Sequence, residues 1–444
     1  MWTRIGFLSF GGPAGQIALM HRMLVEERKW IGNDRFLHAL NYCHLLPGPE
    51  AQQLATYIGW LLHGVKGGLA AGLLFVIPGM LTILALTVLY AGFHRAAAVQ
   101  ALFYGLKPAV LAIVVMAVFR IAAKALKTPY LMLLAGLAFI AMFLYQAPFP
   151  LVIVCSGLLG YLGMSLCPQR LGDRCPQWIC GGSSVGGTAE AQGIVDILLS
   201  KDDSGRFAPT LSRSLKVLAT WGAIWLGPVA LLLLFLGPGH VYTQISLFFS
   251  KMAAVTFGGA YAVLAYVAQQ AVEGFGWLQP GEMLDGLALA ETTPGPLIMV
   301  VQFVGFLAAF RDPGVLNPYV AGTLGALLTV WVTFAPCFLW IFLGAPYVEK
   351  LRHNRLLNGA LSGITAAVVG VVLNLSAWFG INAMFARSEP LEFLGATLPV
   401  PDPASADFFG LLLAVLACLA LPRLGIISVL FGCAGLGALW KMLF

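Results

Sequence analysis

"CHLLPGPEAQQLATYIGW", Cys43 to Trp60, lies inside an apolar stretch and places two prolines around one glycine. A segment that crossed a bilayer as one unbroken helix would not carry Pro47-Gly48-Pro49 at its centre. Proline has no N–H to donate, and it disfavours helical backbone in the residue before it. The stretch therefore predicts a helix interruption or a hairpin tip. "TTPGPLIMVVQFVGF", Thr292 to Phe306, repeats the interruption in the second half of the chain.

The surroundings are those of a membrane protein. Of 444 residues, 59% are hydrophobic and only 10% charged, whereas soluble domains are roughly a quarter charged. Gly67–Phe93, Val99–Ala123, Val217–Leu236, Pro318–Ala345 and Leu356–Phe385 each reach the length of about 20 apolar residues that a helix needs to span the bilayer. No cleavable signal peptide is expected, because Gly11-Gly12-Pro13 falls within the first segment. The net charge of +6 is spread among loops, so it speaks to orientation in the bilayer and not to a nucleic-acid partner.

Catalytic and cofactor signatures are missing. There is no HExxH and no GxSxG, and the Gly181–Gly187 piece lacks the Gly-Lys-Ser/Thr ending of a phosphate loop. Cys167, Cys175 and Cys180 match no zinc spacing. The sequence thus predicts neither enzyme, metal nor cofactor.

The two halves resemble each other. Ser9-Phe10-Gly11-Gly12 and Thr256-Phe257-Gly258-Gly259 lie 247 residues apart, as do Trp30 and Trp277, and as do the two Pro-Gly-Pro triplets. Gly59 and Gly305 follow one residue out of step. A duplication gives a first membrane repeat over 1–166, a polar linker over 167–214 and a second repeat over 215–444. Arg22, Arg28, Lys29 and Arg35 separate the two motifs of the first repeat, while Ala268 to Glu282 has no lysine or arginine. Further on the bias reverses, with Arg95 against Lys350, Arg352 and Arg355. The positive-inside rule then inserts the repeats with opposite orientation, a plan shared by many secondary transporters. The expected fold is an all-α polytopic membrane protein of two inverted repeats, with about nine full spans and four broken elements.

Helix breaks at membrane depth expose unpaired N–H groups at the positive end of the helix dipole, which suits an anion. The candidate site is therefore built on Ser9, Phe10, Gly11, Gly12 and Pro13, on Pro47, Gly48 and Pro49, and on their second-half counterparts Thr256, Phe257, Gly258, Gly259, Pro294, Gly295 and Pro296. Asn41, Gln52, Gln53, Thr292 and Thr293 flank the breaks as hydrogen-bond donors. Lys107 is the cation candidate inside an apolar run. Glu50, Glu291 and His44 are candidates for carrying a coupled proton, since charged groups at this depth are costly and usually functional.

"FLSFGGPAGQIALMHRMLVEERKW" (Phe7–Trp30), "LNYCHLLPGPEAQQLATYIGW" (Leu40–Trp60) and "FGGAYAVLAYV" (Phe257–Val267) resemble the chromate ion transporter family in its long, two-domain form. The resemblance covers both halves. Ala260 stands where the second copy of the Phe-Gly-Gly-Pro motif would have its proline. The resemblance implies a chromate efflux protein of the plasma membrane, multi-pass in the lipid bilayer, with sulfate as a competing oxyanion and a homodimer as an open option. Export of a dianion suits the physics. A negative interior drives each charge outward by about 2.3 kcal/mol per 100 mV, so two charges sustain a gradient on the order of a thousandfold without ATP. A proton antiport would add to this drive.

Overall fold

The run expected to start at Gly67 begins seventeen residues sooner. Helix α4 (Glu50–Phe93) opens directly after Pro49 and is interrupted at His63 and Gly64, where Gly64 takes a φ of +62°. The interruption folds the helix back on itself: a Cβ on Gly59 would lie 2.5 Å from the Gly67 carbonyl. The computed structural model describes residues 1–10, 12–166, 210–257, 260–279, 281–347, 355–393 and 396–443. Of the linker expected over 167–214, residues 167–209, with the cysteines and glycine-rich piece, lie outside them, as do Gly11, Gly258 and Gly259, while its end from Leu211 already belongs to a helix.

Ahead of α4 come α1 (Trp2–Leu8), α2 (Gly12–His21) and α3 (Asn33–Leu45). After it come α5 (Ala97–Ala125), α6 (Pro129–Phe143) and α7 (Phe149–Leu166). Past the linker, α8 (Leu211–Leu236) precedes a second series. That series consists of α9 (Val241–Val255), α10 (Ala260–Gln269), α11 (Glu282–Thr292), α12 (Val300–Arg311), α13 (Pro318–Gly344), α14 (Arg355–Met384), α15 (Phe408–Leu424) and α16 (Ile426–Leu443). The correspondence is close in detail. Both α2 and α10 run on into a π-helical turn, Arg22–Glu27 and Gln270–Gly274. The hairpin of α4 is matched by α12 and α13, where Gly305 packs against Gly325 and the Thr329 hydroxyl. Here a loop over 312–317 replaces the tight turn at Gly64. Asn317 caps α13 by accepting from the Tyr319 N–H at 3.0 Å, with Pro318 in the first turn, a position that needs no N–H.

The halves interlock. α5 packs against α15 and α16 of the second half, and α14 packs against α6 and α7 of the first. Small residues make the close approaches. Gly105 sits on the Cys433 carbonyl and beside Gly437, and Gly160 sits on Gly359 and Gly363. Apolar helices in lipid gain little from hydrophobic burial, so such backbone-to-backbone contact is what holds them. Outward-facing side chains such as Phe119, Leu234 and Phe235 are apolar and exposed.

The helices are those of the expected all-α polytopic membrane protein: among the described residues six are long and apolar enough to cross a membrane, with four shorter apolar helices beside them. One small non-helical element accompanies them. β1 (Ser388–Phe393) and β2 (Ala396–Pro401) form an antiparallel hairpin after α14. The proline-punctuated, β-branched "ATLPVP" cannot continue a helix.

Candidate functional site

The breaks meet crosswise. The backbone N–H of Gly48 donates to the Thr256 carbonyl at 2.8 Å, and that of Gly295 donates to the Ser9 carbonyl at 2.9 Å. Each Pro-Gly-Pro thus closes on the hydroxyl residue that opens the other half's Ser/Thr-Phe-Gly-Gly motif. Both glycines need their freedom, with φ of +122° at Gly48 and +100° at Gly295. Each also touches a long helix of the opposite half. A Cβ on Gly48 would lie 2.9 Å from the Cys337 Sγ on α13, and one on Gly295 would lie 2.8 Å from the Gly79 Cα on α4. Proline follows the same logic at Pro78 in α4 and Pro336 in α13, each one residue before those contacts.

Side chains tie the turns down. Gln53 donates through Nε2 to the Pro47 carbonyl at 2.7 Å, and Gln16 does so to the Gly295 carbonyl at 2.6 Å. Gln52 donates to the Thr56 hydroxyl at 3.2 Å. Tyr261, at the start of α10, reaches toward the start of α2 in the other half: its hydroxyl lies 4.0 Å from where a Cβ on Gly12 would stand. The same hydroxyl donates to Glu291 Oε1 at 2.6 Å. All four breaks are therefore linked in one cluster.

The hydroxyls expected to donate to an anion are already engaged. Ser9 donates to the Ile5 carbonyl and Thr256 to the Met252 carbonyl, both at 2.7 Å. Thr292 donates to Ala288 at 2.9 Å and Thr293 to Ala290 at 3.2 Å. Back-bonding of this kind is what short hydroxyl side chains do near the end of an apolar helix, where the carbonyls have few other partners. In this conformation they hold the helix ends and present acceptors, not donors. Phe10, Pro13, Asn41 and Phe257 are half-buried around the breaks.

Lys107 departs from its expected role. Its Nζ lies 3.6 Å from Asp285 Oδ1, and Tyr90 donates to Asp285 Oδ2 at 2.9 Å. Asp285 lies in the first turn of α11, about 10 Å of helix from Thr292. The ammonium is neutralised at the far end of the hairpin, next to a second pair, Arg311 to Glu282 at 2.6 Å. Sequence reading weighed Lys107 alone because its partner lies 178 positions away.

His44 and Glu50 bracket the first break and pair with each other. Nδ1 of His44 donates to the Leu40 carbonyl at 2.8 Å, and Nε2 faces Glu50 Oε2 at 3.3 Å. Since Nδ1 already carries a hydrogen, a bond between Nε2 and the carboxylate needs one more proton between them. The second half has no such pair: position 247 onward from His44 is Glu291, and from Glu50 it is Leu297.

Apolar helices long enough to cross a bilayer, joined at reciprocal glycine turns, define a polytopic membrane protein. The chain itself belongs to the chromate transporter family, whose model matches residues 1–161 and 243–438. It is 32% identical to the chromate transport protein of Pseudomonas aeruginosa over 375 residues, 84% of this chain and 77% of that one. It is 28% identical to the chromate transport protein of Cupriavidus metallidurans, covering 84% and 79%. The uncharacterized transporter YwrA of Bacillus subtilis matches at 26% over 158 residues, which is 35% of this chain but 89% of its own. No solved structure matches.

Proposed function

We propose that the protein exports chromate across the plasma membrane as a secondary transporter, with the oxyanion held at the four helix breaks. The observation that carries this reading is the reciprocal pair of bonds from Gly48 and Gly295 to Thr256 and Ser9. They gather four helix ends from both halves at one place, where N–H groups and dipoles favour an anion without a resident full charge. Chromate as the substrate is supported by the relatives that carry its name. Opposite insertion of the two halves, suggested by their loop charges, would let one half rock against the other around the fixed site. The membrane potential supplies the outward drive, and Glu50, Glu291 and His44 are the groups placed to add a proton.

A sulfate or other oxyanion carrier, importing or exchanging, is the second reading. It draws on relatives named only as uncharacterized transporters. Radiolabelled chromate uptake into everted membrane vesicles separates the two. Saturable, potential-dependent uptake is expected, with sulfate at most a competitor. Vesicles that take up sulfate and not chromate would put the second reading first.

A further inference from the structure

Glu291 is the penultimate residue of α11 and is 3% exposed. Tyr261 supports Oε1, while Oε2 is buried without a hydrogen-bond partner among the described residues. The pair lies beside Gly295, whose carbonyl takes the Gln16 amide, and the Tyr261 hydroxyl borders Gly12 at the start of α2. It therefore touches elements of three of the four breaks. The first half has nothing like it: the positions equivalent to Tyr261 and Glu291 are Ala14 and His44.

A buried carboxylate with a bare oxygen is far less favourable than the neutral acid. Because Oε1 accepts from Tyr261, the proton of the neutral acid sits on Oε2, and the bare acceptor becomes a donor with no partner among the described residues. The charged groups around α11 do not offer a replacement. Lys107 on α5, Tyr90 on α4 and Arg311 on α12 are engaged at the other end with Asp285 and Glu282. α16 contributes Cys433 and Lys441, the latter over the Tyr104 ring, and the turn Leu297–Met299 contributes no titratable group. Arg120 on α5 makes no ion pair with Glu291 among the described residues. A dianion arriving at the neighbouring helix ends meets a donor if Glu291 is protonated and a like charge if it is not.

We infer that Glu291 holds a proton whenever the oxyanion is bound and releases it when the oxyanion leaves, so that proton and anion travel in the same direction. This rests on the helix breaks being the oxyanion site. It reverses the sign of the antiport suggested by sequence. One dianion with one proton still moves a net negative charge outward, so the potential remains the drive, while an alkaline interior works against it.

The test uses the full-length protein in proteoliposomes, with the potential clamped at zero by potassium and valinomycin and radiolabelled chromate on both sides. An inside-alkaline gradient is expected to accumulate chromate inside, by up to about tenfold per pH unit for one proton. Glu291→Gln is expected to carry chromate at an altered rate but to accumulate none. Tyr261→Phe, which removes the donor that favours the carboxylate, is expected to move the pH profile of flux to higher pH. Accumulation under an inside-acid gradient would establish antiport and overturn the inference. An identical gradient response in the wild type and Glu291→Gln would also overturn it, because hydrogen chromate carried as such behaves that way. A wild-type protein with no chromate flux at any potential would instead take down the proposed function on which the inference stands.

Discussion

Gly295 donates its backbone N–H to the carbonyl of Ser9, 286 positions earlier, at 2.9 Å, and the equivalent residues Gly48 and Thr256 make the same bond in the other direction. Neither half can complete its own turn. Together with the exchange of α5 and α14 between halves, this makes the two halves one folding unit.

The two turn glycines differ in what surrounds them, and substitution should expose the difference. Alanine at either position has to hold a positive φ, which costs about 1–2 kcal/mol. At Gly48 the new methyl would meet two side-chain ends, the Gln53 amide at 2.8 Å and the Cys337 Sγ at 2.9 Å, which can shift at the cost of the Gln53 bond to Pro47. At Gly295 it would meet the Gly79 Cα at 2.8 Å, which is helix backbone. Gly295→Ala is therefore expected to lower the melting temperature in detergent, and the flux in vesicles, by more than Gly48→Ala. The opposite order would show that the Gly79 contact does not constrain the turn.

Gly12 offers a cleaner test of the helix-end site. Its φ is +71°, yet a Cβ there would have only the Tyr261 hydroxyl near it, at 4.0 Å. Gly64 has a φ of +62° with nothing within 4 Å. Alanine at the two positions thus carries a similar backbone cost, about 1 kcal/mol, at the start of α2 in one case and at the bend of α4 in the other. Normal membrane yield is expected for both, with chromate flux falling about tenfold or more, the equivalent of 1.4 kcal/mol, in Gly12→Ala alone. Equal flux in the two variants would remove Gly12 from the site.

How far the sequence carries depends on the range of the physics involved. Pro47-Gly48-Pro49 is legible because proline restricts its own backbone and that of one neighbour, so the break is local. The hydroxyls of Ser9 and Thr256 are not, since a back-bond to the carbonyl four residues earlier and a bond to a ligand use the same side chain. Pro78 and Pro336 escape notice because the longer 312–317 loop moves them out of the 247-residue register. Tyr261 looks like any tyrosine in "GGAYAVLAYV" until α11 places Glu291 beside it. The β-hairpin after α14 has only its prolines to announce it.

Lys107 and Asp285 allow a double-mutant cycle that separates structure from substrate binding. Removing one partner of a buried pair leaves a charge alone in low dielectric and costs roughly 3–5 kcal/mol when fully buried. The Lys107 side chain is 30% exposed, so a smaller loss applies here. Lys107→Ala and Asp285→Ala are each expected to reduce folded yield, and the double variant is expected to recover most of it together with chromate flux. A double variant that folds fully yet carries no chromate would return Lys107 to the substrate path.

Opposite insertion of the two halves is the expectation with the plainest readout. Arg28 directly follows the π-helical turn after α2, and Gln279 lies five residues past the one after α10, in the loop before α11; both are exposed. The chain carries cysteines of its own, Cys155 exposed on α7 and Cys167, Cys175 and Cys180 in the polar linker, so labelling begins from a variant in which these four are serine. Arg28→Cys and Gln279→Cys are then introduced one at a time and treated with a membrane-impermeant maleimide in intact cells and in everted vesicles. Loop charges place Arg28 inside, since Arg22, Lys29 and Arg35 surround it, while the 268–282 stretch has no lysine or arginine at all. The Gln279 site is expected to label in intact cells and the Arg28 site only in everted vesicles. Labelling of both from one side would place the two hairpins on the same face, and the crosswise bonds between Gly48, Thr256, Gly295 and Ser9 would then join parallel halves instead of opposed ones.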